Sequence, residues 1–100
     1  MRVISADVSN ARTRDDVYSA LFLAWAAPDW HGRNFNALRD SLLTGDINGV
    51  EPPFHLRITG WGSAKPEARS MLVDFEDLIR ELGPELEATG RTIALQLSRD

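Results

Sequence analysis

The chain has 100 residues, no cysteine, 43% hydrophobic and 26% charged side chains, and a formal net charge of -4. That is the composition of one ordinary globular domain spanning residues 1–100, and the missing thiol excludes a disulfide framework, a thiolate zinc site and a cysteine nucleophile. No apolar h-region follows the opening MRVISADVSNARTRDD and no run of about eighteen apolar residues occurs, so a cytoplasmic protein without a membrane segment is expected, its mild acidity suiting a basic partner better than a phosphate backbone.

Arg2 to Val8, RVISADV, carries Val3, Ile4 and Val8 and predicts a first strand that stops at the turn residues Ser9 and Asn10. Thr13, followed three residues later by Asp16, predicts a capping box opening a helix. Val17, Ala20, Leu21 and Ala24 form one apolar stripe on it, and Tyr18, Phe22 and Trp25 form a second, so neighbours should cover it on two sides. Pro28 predicts its end. In the next stretch, PDWHGRNFNALRDSLLTGD, Asn34 predicts the cap of a short helix. Phe35, Leu38 and Leu42 make its inward stripe, whereas Asn36 and Asp40, four apart, share an outward face.

Thr44, Gly45, Asp46, Asn48 and Gly49 then read as turns, and Pro52 and Pro53 stiffen the approach to FHLRIT, Phe54 to Thr59, whose strict alternation is the clearest strand signal in the chain. From Pro66 the period is helical, with Met71, Leu72, Phe75, Leu78, Ile79 and Leu82 inward and Asp74, Asp77 and Glu81 outward. Gly83 and Pro84 predict a break or kink, with a further turn ending at Gly90, and Thr92 to Leu97 predicts a last strand. The order β, α, α, β, α, β predicts an α/β fold, a small three-stranded parallel sheet with three to four helices packed on it.

Catalytic signatures are missing. There is no GxSxG elbow, P-loop, GxGxxG or HExxH, and neither His31 nor His55 has a second imidazole or a carboxylate at metal-ligand spacing. No enzyme, metal or cofactor is expected. A loop setting leaves Trp30 divided between core and interface, and His31 between a half-exposed packing residue and a contact beside it. Asn34 has a sufficient structural role as a cap. Asp40, a poor helix former away from the N-terminal turn, is either merely solvated or held outward for a partner. The stripe of Asp74, Asp77 and Glu81 is informative only if it lies beside Asp40, and Arg33 and Arg39 dilute the acidity near this helix.

The run PDWHGRNFNALRDSLLTG resembles the signature of the barstar family, small intracellular inhibitors of secreted ribonucleases such as barnase: Pro28, Asp29, Trp30, Gly32, Asn34, Ala37, Leu38 and Asp40 match it without a gap. The resemblance implies an acidic and aromatic face that fills a ribonuclease active site. Asp40 would occupy the place of an RNA phosphate, Trp30 and His31 the two aromatic contact positions, and Asn34 and Asn36 their flanks. Thr44 and Gly45 would continue the loop, and Asp77 would stand for a glutamate on the later helix. The chain departs from the pattern at Asn36, where an aspartate is expected, at His31 for an aromatic, at Asp46 for a tryptophan, and at Leu43, which looks inserted. The implied protein is an inhibitor or immunity protein of a secreted or toxin-borne ribonuclease, monomeric when free and not itself a binder of nucleic acid. A small RNA- or nucleotide-binding module using Trp30, His31, Arg33 and Arg39, or a module that binds a non-nuclease protein through the same face, is the alternative.

Overall fold

Three strands follow the expected alternation: β1 over Arg2–Asp7, β2 over Phe54–Thr59 and β3 over Ile93–Leu97, each within a residue of its predicted bounds in a computed structural model that describes residues 1–100. They form one parallel sheet in the order β1-β2-β3, with Ile4, Leu56 and Leu95 in register and Ala6, Ile58 and Leu97 one step along. Helices α1 (Arg14–Ala24) and α2 (Phe35–Thr44) occupy the first crossover, and α3 (Pro66–Ala88) occupies the second after a short 3-10 turn at Trp61–Ser63. Successive right-handed crossovers in sequential strand order put all the helices on one face of the sheet. Burial alternates accordingly, Phe54, Leu56 and Ile58 being fully enclosed while Arg57 between them is exposed. The architecture is the α/β fold expected, with three α-helices.

Helix α1 begins as Thr13 and Asp16 predict, each side chain bonding the other's backbone amide. It ends earlier than Pro28 requires. Trp25 is the cap, Ala26 turns left-handed at a φ of 53°, and the Ala26 and Ala27 amides return to the Leu23 and Phe22 carbonyls. This double-bonded reversal satisfies the last carbonyls of the helix before the proline is reached. It also drives Trp25 into the core, where its ring stacks on Phe54 at 6.4 Å and packs beside Phe75 at 6.3 Å, joining α1, β2 and α3.

Helix α3 corrects the expected break. It passes through Gly83 and Pro84 without interruption to Ala88. Part of proline's clash is with the Cβ and amide of the preceding residue, and Gly83 has no Cβ. Leu82 and Leu86 are buried on either side of the pair, each worth about 1.5–3 kcal/mol, against a penalty of about 3 kcal/mol for an interior proline. Packing therefore outweighs local propensity.

Candidate functional site

Asn34 starts α2, its side-chain oxygen accepting from the Ala37 amide at 2.8 Å. Leu38 and Leu42 bury the underside while Phe35 is half-buried, so Asn36 and Asp40 are left facing solvent. The loop before the helix folds back against it so closely that a Cβ at Gly32 would lie 3.0 Å from that of Ala37. Between loop and helix lies a cavity of about 160 Å³ lined by Trp30, His31, Gly32, Ala37, Asp40, Ser41 and Ile47. Trp30, which the sequence left between core and interface, is 74% exposed on its wall.

His31 is not the half-exposed side chain expected. It is only 6% exposed, because its ring lies on Phe22 of α1 at 4.5 Å, with Nδ1 2.8 Å from the Gly32 carbonyl oxygen and Nε2 2.8 Å from the Ser41 hydroxyl. With both ring nitrogens used internally, His31 backs the cavity and does not project from it.

The two arginines expected to dilute the acidity are committed elsewhere. Arg33 donates to the Asp15 carboxylate and carbonyl and to the Ser19 hydroxyl, with its guanidinium over Phe22, and Arg39 pairs with Glu81 of α3 at 3.0 Å. The carboxylates of Asp29, Asp40 and Asp46 enter no ion pair and no hydrogen bond. Each acid of the α3 stripe is engaged by an arginine rather than left free beside Asp40, Asp74 pairing with Arg14, Asp77 with Arg80 and Glu81 with Arg39. Asp77, Asn36 and Thr44 are exposed but do not line the cavity.

Gly45 is buried, which corrects its expected place on an outward loop. It closes α2 at φ 84°, ψ 179°, a conformation essentially reserved for glycine, and an added Cβ would stand 2.8 Å from Arg91 Nη1. Arg91 Nε donates to the Leu42 carbonyl at 3.2 Å and Nη2 to Glu51 Oε2 at 2.9 Å, while Glu51 Oε1 accepts from the Ile47 and Asn48 amides at 3.0 Å. This clamp shapes the loop that brings Ile47 into the cavity. Ser41, Ile47, Glu51 and Arg91 were all missed in the sequence; only Ile47, an apolar residue in a turn-rich stretch, gave any signal there. Nowhere do three His, Asp or Glu side chains come together to hold a metal ion.

The arrangement can offer an unpaired carboxylate and an exposed indole to a cationic surface, whereas its hydroxyl–imidazole pair, Ser41 on His31, is buried and has a backbone carbonyl rather than a carboxylate on the far ring nitrogen. A sequence model of the family described as Barstar (barnase inhibitor) matches residues 1–98. The chain belongs to the barstar family. Barstar-family proteins are inhibitors rather than enzymes, and they bind ribonucleases such as barnase. Comparison with curated proteins finds none that matches. In this barstar-family chain the run from Pro28 to Gly45 falls on the Trp30 loop and α2, so the stretch that carries the family signature builds the cavity and its acidic rim. No helix is long and apolar enough to cross a membrane.

Proposed function

We propose that this single domain is a cytoplasmic immunity protein, monomeric when free, that blocks the cationic active site of a secreted or toxin-borne ribonuclease with the face built by Trp30 and α2. Asp40 supplies the anion that stands where an RNA phosphate would, Trp30 the aromatic contact, and Asn34, Asn36, Thr44 and Asp77 the surrounding polar contacts, with Gly45 setting the turn of the loop. The observation that carries this reading is the unpaired Asp40 held outward beside a 74% exposed Trp30, while Arg33 and Arg39 are neutralised by acids of α1 and α3. A carboxylate fixed on a firmly packed helix has little conformational freedom to lose on binding.

The same observation weighs against direct RNA binding. That reading needs His31 for stacking and Arg33 and Arg39 for phosphates, yet the imidazole is buried and both guanidiniums are engaged. The deciding experiment is co-purification with the product of the adjacent gene, followed by a ribonuclease assay with and without this chain. Loss of ribonuclease activity at equimolar inhibitor supports the proposal, and an unaffected nuclease together with a salt-sensitive shift on single-stranded RNA overturns it.

A further inference from the structure

We propose that His31 and Ser41 are positioning residues, a hydrogen-bonded pin that sets the distance between Trp30 and Asp40. The inference rests on the reading of this face as partner-binding. Trp30 sits on the loop and Asp40 on the helix, and the side-chain bond joining those two elements behind the cavity is His31 Nε2 to Ser41 Oγ at 2.8 Å. Ser41 is only 1% exposed and adjoins Asp40 in sequence, so its hydroxyl acts from beneath the surface and is not available as a contact. The far face of the imidazole rests on Phe22, which ties the pin to α1 as well.

The chemistry fixes the direction of each bond. The Gly32 carbonyl can only accept, so Nδ1 carries the proton, and in the neutral ring Nε2 accepts from the Ser41 hydroxyl. The Leu38 carbonyl, 3.3 Å from Ser41 Oγ, is the more distant acceptor. The loop is thereby held by a directed hydrogen bond as well as by packing. A partner meets a cavity already at its bound width and has less of the loop that carries Trp30 left to order on binding.

The test uses the full chain with Ser41→Ala, His31→Phe, Trp30→Ala and the Ser41→Ala/Trp30→Ala double variant, each first shown to melt cooperatively. Without any partner, ring nitrogen NMR should show His31 protonated at Nδ1, and 15N relaxation should show the Trp30 amide and indole becoming mobile in Ser41→Ala and His31→Phe. With barnase as the probe ribonuclease, Ser41→Ala should weaken inhibition roughly three- to tenfold. In the Trp30→Ala background the same change should cost less than about twofold, because the pin then has no indole left to place. An unchanged Trp30 order parameter in both pin variants, a His31 protonated at Nε2, or fully additive losses overturns the pin. If wild-type protein inhibits no ribonuclease while the relaxation arm behaves as expected, the positioning role stands and the functional reading falls.

Discussion

At the scale of single residues, Asp40 and Asp16 show two different uses of a carboxylate. Asp40 has no partner within its own chain, so Asp40→Ala should cost roughly 2–5 kcal/mol in binding the ribonuclease, the range for truncating one member of a desolvated charge pair, which the barnase–barstar pair itself helped define. Its effect on folding should stay within about 0.5 kcal/mol, so titration calorimetry against the nuclease and a thermal melt separate the two roles. Asp16 works inward. The amides of Arg12 first and Thr13 second hold its carboxyl below the ordinary value of 3.8. A depressed acid contributes stability that is present above its unfolded value and lost as pH falls through the folded one. Denaturation followed from pH 5 downward should therefore show a shallower loss of stability in Asp16→Asn than in wild type. Residues of this kind were legible in the sequence in proportion to how local their partners are. The Thr13–Asp16 and Asn34 caps are three residues from what they bind. Arg33 reaches back 18 residues and Arg39 forward 42, so nothing in the local pattern could say that both were already spent. His31 was misjudged for the same reason, its burial depending on Phe22 and Ser41.

At the scale of elements, alternation and helical period located every strand and helix, because each buries one face and exposes the other. What the period could not weigh was a strong local signal against distant packing. Gly83-Pro84 reads as a stop, yet the helix continues because Leu86 is buried one turn beyond and Gly83 presents no Cβ to the proline ring. The proline still leaves a carbonyl of the preceding turn without its amide. Pro84→Ala should accordingly stabilise the chain by about 2 kcal/mol, measured as a rise in urea midpoint at constant m; an unchanged or lowered midpoint would mean that Pro84 contributes something the helix geometry does not show. The end of α1 teaches the converse. There a left-handed Ala26 closes the helix before the more conspicuous Pro28 is reached.

At the scale of the whole molecule, the topology sorts charge between the two ends of the sheet. At the end where the strands begin, the loop between α1 and α2 carries Asp29, α2 Asp40, the loop entering β2 Asp46 and the last turn of α3 Glu85 and Glu87, none of them ion-paired, against the single unpaired Arg2 at the start of β1. Beyond the exits of the strands, the unpaired Arg12, Lys65, Arg69 and Arg99 offset Asp7, Asp16, Glu67 and Asp100. The excess negative charge thus gathers at the end that holds the Trp30 cavity, orienting the molecule toward a basic target during encounter. Stopped-flow association with the ribonuclease should slow by at least about tenfold between roughly 0.05 and 0.5 M salt while dissociation changes little; a salt-independent association rate would remove steering from the account. The parallel order of the sheet was legible from the alternation of strands and helices, but the end at which charge collects emerged only with the fold. One further consequence follows from the Arg91 clamp on Gly45 and Glu51. Ribosomes make Pro28 to Glu51 some time before they reach Arg91, so a nascent chain carries its indole and its carboxylate on a segment whose closing clamp has not yet been synthesised. On the proposed reading, full inhibitory competence arrives only as the last strand is about to be made, when translation delivers the arginine that locks the loop.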